Sequence, residues 1–127
     1  MTPAGFLAVG LGSMFGCWLR WILGMWLNPI FPTLPLGTLA ANLLGGLVMG
    51  CVISLFAHFH PAPHALSLFV GTGFLGGLTT FSTFSAEANT LILRRQPMWT
   101  AIHIAAHLIG TLAMTMLGIV VVHHVLH

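Results

Sequence analysis

Three arginines and one glutamate are the only side chains among 127 that carry full charge at neutral pH. That scarcity constrains the fold more than any other feature, because a water-soluble domain draws about a quarter of its residues from Asp, Glu, Lys and Arg. With 57% hydrophobic residues and a mean hydropathy of +1.03, the chain cannot face water on every side. It reads as an integral membrane protein. In hydrocarbon every backbone polar group must be paired internally, and long unbroken apolar runs satisfy that as helices rather than as alternating barrel strands.

The runs number four, near residues 4–27, 36–57, 66–90 and 98–122, each long enough for the roughly 20 residues that cross a bilayer. They predict an all-α membrane protein with four transmembrane helices in a single domain over residues 1–127. Proline punctuates the connectors: Pro29, Pro32 and Pro35 in the first, Pro61 and Pro63 in the second, Pro97 in the third. The N-terminal run lacks a basic leader and a small-residue cleavage site and is expected to be retained as a helix. Cys17 and Cys51 lack metal or redox spacing and read as small buried hydrophobes. A nucleic-acid partner is excluded, because phosphate binding needs many clustered cations.

Orientation is weakly specified. With four spans, the second connector and both termini share a side without Lys or Arg, and only Arg94 and Arg95 bias the other. Insertion in both orientations follows, and two copies so inserted would pair antiparallel, supplying between chains the inverted symmetry that larger transporters carry within one.

Polar residues recur at four-residue steps and so on single helix faces. Gly12, Gly16 and Arg20 share one face of the first span, where Arg20 either snorkels to the interface or faces a wet vestibule that concentrates anions. Thr38, Asn42, Gly46 and Gly50 share one face of the second, with Asn42 as interhelical glue or as a pore-lining donor. His103, His107, Thr111 and Thr115 do the same in the fourth. The two histidines read as satisfied neutral rings, since a metal site wants more ligands than the chain's single acid suggests. Glu87 itself reads as an interfacial anchor, with a role in orienting the pore as the alternative.

The third span is too long as a continuous helix. Leu66 to Leu93 would extend about 42 Å at 1.5 Å per residue. Gly76 and Gly77 beside Thr79 and Thr80 predict a break near the membrane midplane, tolerated only where it is buried or lines a cavity. Five hydroxyls and two phenylalanines then occupy residues 79 to 85. Taken together, the spans offer amide, hydroxyl, guanidinium and ring-edge donors and almost no carboxylate, which suits a small anion rather than a cation.

The blocks GLGSMFGCWLR (10–20), GTLAANLLGG (37–46) and GTGFLGGLTTFSTFSAE (71–87) resemble the Fluc, or CrcB, family of fluoride channels, in order and over nearly the whole chain. The resemblance implies an antiparallel, dual-topology homodimer in the bacterial inner membrane, with two fluoride pathways and passive efflux that protects against fluoride. It implies a structural Na⁺ held by backbone carbonyls of Gly76 and Thr79, and no organic cofactor. Phe81 and Phe84 match the family's pore phenylalanines, Asn42 its pore asparagine, Ser82 and Thr83 its pathway hydroxyls, and Arg20 its vestibule arginine. His103 stands where relatives carry a tyrosine. An imidazole keeps one donor there and adds acid sensitivity. The rival readings are a small dual-topology exporter, which lacks its carboxylate in the first span, a haem-binding subunit using His103 or His107, and a purely structural packing subunit.

Overall fold

The computed structural model describes residues 1–59 and 62–127; Pro61 of the second connector lies outside them. Four helical spans long and apolar enough to cross a membrane run Pro3–Ile30, Leu36–His58, His64–Leu93 and Pro97–Leu126. The first is α1 (Pro3–Leu27) with a 3₁₀ turn (Asn28–Ile30), the second α2 (Leu36–His58) and the last α6 (Pro97–Leu126). Between them lies a composite third span: α3 (His64–Ser67), a π-helical stretch (Leu68–Leu75), α4 (Gly76–Leu78), two extended residues, and α5 (Phe81–Leu93).

Local chemistry fixes the ends. Thr2 accepts the Gly5 N–H at 3.0 Å and Pro3 opens α1, where its missing donor costs nothing. Asn28 performs the same service for α2 from a distance, its Oδ1 accepting the N–H groups of Gly37 at 2.7 Å and Thr38 at 3.3 Å. The end of α5 is closed by Arg95 at φ 56°, with Arg95 N–H on Ile92 O and Gln96 N–H on Leu91 O. This is a Schellman closure with arginine in the left-handed position where glycine is usual.

Packing inverts the soluble pattern. Phe6, Trp21, Leu93, Met98 and Leu112 are exposed, while the buried positions are mostly glycines and polar residues, with a small apolar cluster of Ala41, Leu75 and Leu78 and, apart from it, Leu34, Phe84, Ala88 and Leu91. Glycines bring the backbones together. A side chain on Gly12 would strike the Phe69 carbonyl and one on Gly16 the Phe74 carbonyl, so α1 lies directly on the third span. Gly50 meets the Thr115 carbonyl and Gly118 the Leu47 carbonyl, joining α2 to α6 in the same way. Helices in lipid gain no hydrophobic drive from touching, so close backbone approach is what holds them.

Three expectations change. The break falls at Thr79 (φ −87°, ψ 153°) and Thr80 (φ −148°, ψ 121°), with Gly76 and Gly77 still helical. Glycine is used there for contact, since Gly77 packs on the Ser13 carbonyl of α1. Upstream the chain winds as π-helix over eight residues, where i→i+5 bonding advances less per residue and takes up part of the excess length. Cys17 is exposed and Cys51 only partly buried, so neither is a core residue; with lipid outside, a small apolar thiol has no need of the interior.

Candidate functional site

At the break the regular ladder is exchanged for side-chain bonds. The Thr80 N–H, which in a continuous helix would pair with the Gly76 carbonyl, donates instead to Asn42 Oδ1 at 2.8 Å. Asn42 Nδ2 donates back to the Thr80 carbonyl at 3.0 Å. One carboxamide on α2 therefore replaces a whole peptide partner. Thr80 then serves as N-cap of α5, its Oγ1 accepting the Thr83 N–H at 3.1 Å, so the Thr79 carbonyl loses its helical donor too. The Gly77 carbonyl is taken by Arg20, whose Nε donates at 3.0 Å. Arg20 thus points inward across the bundle rather than snorkelling outward.

This leaves two ends of opposite polarity facing each other. The Gly76 and Thr79 carbonyls are negative and free of their helical donors, whereas the first turn of α5 presents N–H groups and the hydroxyls of Ser82 and Thr83. Thr80 Oγ1 lies 3.3 Å from Ser82 Oγ and 3.1 Å from Thr83 Oγ1, so the three hydroxyls form one linked patch.

Two cavities adjoin the break. One of about 260 Å³ is lined by Asn42, Thr79, Thr80, Phe81, Phe84 and His107 among others. A second of about 310 Å³ brings the Arg20 guanidinium beside Thr38, Thr80, Thr83 and Asn28. Phe81 and Phe84 stand with ring centroids 5.4 Å apart, but their settings differ: Phe84 is buried and Phe81 is 73% exposed on the outer face of the chain. Phe84 lies nearly parallel to the His103 ring at 5.2 Å and 4.7 Å from His107.

The histidines are ordered by their partners. Because Thr80 fixes the Asn42 amide, Asn42 Nδ2 must donate its second hydrogen to His107 Nδ1, 3.0 Å away, which puts the ring hydrogen of His107 on Nε2. His103 Nε2 faces the Phe84 carbonyl at 3.4 Å, an acceptor only, so its hydrogen is on Nε2 as well. His103 is fully buried.

Sequence reasoning placed Glu87 at the interface, and the structure overturns this. Glu87 turns inward, accepting from Thr38 Oγ1 at 2.7 Å, with its other oxygen 3.5 Å from His103 Nε2. The signal for Thr38 was present in its four-residue step to Asn42. Glu87 had none, because a lone acid near an arginine pair looks like a surface anchor until the register of α5 against α6 is known. Of the nominated residues, Asn42, Thr83, Phe84, Thr79 and Arg20 converge on the break. Ser82, Phe81 and Gly76 lie beside it but open outward, and His103 stands behind Phe84.

Residues 7–119 match the family model described as CrcB-like protein, Camphor Resistance (CrcB). The chain is 60% identical over 115 residues to the fluoride-specific ion channel FluC of Nitrosospira multiformis, covering 91% of this chain and 90% of that one. It is 57% identical over 114 residues to FluC of Aromatoleum aromaticum, covering 89% and 86%, and 50% identical over 125 residues to FluC of Dechloromonas aromatica, covering 96% and 90%.

Proposed function

The chain belongs to the CrcB family, and from that premise we propose that it is a fluoride-selective channel of the plasma membrane that lets fluoride leave the cell passively. It is not an enzyme, and its four spans make it a multi-pass protein. The observation that carries the reading is the broken third span, whose N–H groups and hydroxyls open onto cavities walled by Asn42, Phe81, Phe84 and Arg20. Fluoride holds its water tightly, and closely spaced N–H, O–H and ring-edge donors replace that shell. No carboxylate on α1 offers a coupling proton, which favours passive flow over exchange.

The working unit is an antiparallel dual-topology homodimer forming one domain per chain and two pores. Its support is that Phe81 and Gly76, both beside the break, are exposed in the single chain, so the track is open on one side until a second copy covers it. A structural Na⁺ at the centre fits the same geometry. The Gly76 and Thr79 carbonyls have lost their helical donors to Asn42 and Thr80, and unwound backbone carbonyls are the ligands that hold such ions in broken transporter helices. The Gly76 and Thr79 carbonyls would hold the ion, which would supply the positive charge that these donor-free carbonyls lack.

In a bacterium stripped of its own fluoride export, expression of this chain is expected to restore growth on fluoride. Phe81→Ile removes the ring edge while keeping an apolar side chain, and is expected to slow fluoride efflux by ~10-fold or more without loss of protein. Undiminished efflux in that variant would move the pathway away from the outer face of α5.

A further inference from the structure

Glu87, His103 and His107 stand together inside the bundle, and one ligating atom from each lies within 4.8 Å of the other two. We propose that these three side chains form a site for a late transition-metal dication of the Zn²⁺ class, separate from the Gly76 and Thr79 carbonyls and from any monovalent ion they hold.

Two independent observations converge on it. Among the described residues, the buried side-chain nitrogens and oxygens without a hydrogen-bond partner are Glu87 Oε1, His103 Nδ1 and His107 Nε2, one from each member of the cluster. Three orphaned polar atoms on three touching side chains are costly unless something they all bind is missing. The second observation is the orientation of the neighbours. His103 directs Nε2–H at the Phe84 carbonyl, which leaves the Nδ1 lone pair bare, the arrangement in which protein histidines hold a metal. Thr38 fixes one Glu87 oxygen at 2.7 Å and leaves the other unpartnered. Ligation through His107 Nε2 moves that ring's hydrogen to Nδ1 and gives up the Asn42 contact, one neutral hydrogen bond exchanged for a metal–nitrogen bond.

The donor set selects the ion. Two imidazoles and one carboxylate suit Zn²⁺, Co²⁺ or Ni²⁺, whereas Ca²⁺ and Mg²⁺ require six or more oxygens. Ligand atoms around tetrahedral zinc lie ~3.3 Å apart, so atoms now within 4.8 Å of one another need close in by at most ~1.5 Å. Three protein ligands leave a fourth position, to be filled by water or a small anion from the cavity that His107 lines.

A competing set of ligands exists at the C-terminal end, where the rings of His123 and His127 are 4.4 Å apart and His58 approaches His127 at 4.9 Å. The test separates the two. Purified full-length protein in detergent is titrated with Co²⁺ by visible absorption and with Zn²⁺ by calorimetry, alongside a variant carrying His123→Gln, His124→Gln and His127→Gln. The tail variant is expected to keep one equivalent per chain with the intense ligand-field bands of four-coordinate Co²⁺. Adding Glu87→Gln, whose amide oxygen can still accept from Thr38, or His107→Gln weakens binding by at least ~10-fold with unchanged gel-filtration behaviour. Binding that disappears in the tail variant, or that ignores Glu87→Gln, overturns the site. The readout is the metal itself, so a chain that conducts no fluoride yet shows this pattern keeps the site and loses the channel.

Discussion

Asn42→Ala is expected to abolish channel activity, lowering fluoride efflux by ~100-fold or more. Asn42 is the one side chain that substitutes for a peptide group at the break, holding both the N–H and the carbonyl of Thr80 and donating to His107 as well. Alanine leaves all three without that partner in a setting where water is scarce. At about 1–3 kcal/mol for each buried group left unpaired, the extended Thr79–Thr80 conformation loses several kcal/mol relative to alternatives in which the third span re-closes its helical ladder. Re-closure would return Thr80 N–H to Gly76 and consume the carbonyl on which the proposed cation site depends. The variant should therefore lose anion flux and the central cation together. Efflux from liposomes checks the first, and wild-type flux in Asn42→Ala would mean that something other than Asn42 holds the break open.

Gly16→Val has the largest expected effect on the fold itself. Its Cβ would strike the Phe74 carbonyl and reach the Leu78 N at 2.8 Å, both backbone atoms that no rotamer change can move aside. The helix α1 must then separate from the third span, and in lipid no hydrophobic drive pulls parted helices back together. Overpacking of this kind costs at least about 1–3 kcal/mol where neighbours can adjust, and more where they are backbone. The expected outcome is loss of monodisperse protein after extraction. Gly10→Ala, on the same helix, meets no atom within 4 Å and should purify normally. Equal behaviour of the two variants would show that close glycine packing does not hold this bundle.

Much of the architecture was legible because lipid imposes few and strong rules. Charge scarcity and run length place four spans within a few residues of where they lie; the prolines near 29–35 close the first for a plain steric reason, and Pro97 opens the last where its missing donor costs nothing. The four-residue stripes also kept their meaning: Gly12 and Gly16 meet the third span, Gly46 and Gly50 meet α6, and Asn42 looks into the break. What escaped depends on registers between helices, which no single helix encodes. Glu87 becomes an interior group only because α5 packs on α6 with His103 opposite it and on α2 with Thr38 opposite it. The π-helical winding of Leu68–Leu75 escaped for a similar reason, since apolar periodicity does not distinguish i→i+4 from i→i+5 bonding over eight residues. Within the Gly76–Thr80 segment the break falls on Thr79–Thr80 rather than on Gly76–Gly77, which reflects competition: Gly77 is needed for packing against α1, and Asn42 holds Thr80 instead.

On the proposed function, the donors around this break carry a small, strongly hydrated anion and discriminate against a larger one. Liposomes containing the purified chain, loaded with potassium fluoride or potassium chloride and diluted into anion-free buffer with a potassium ionophore, test it with one electrode measurement for each anion. Rapid fluoride efflux with chloride release no faster than from protein-free vesicles is the predicted result. Equal release of the two anions, or fluoride release no faster than from empty vesicles, would contradict it.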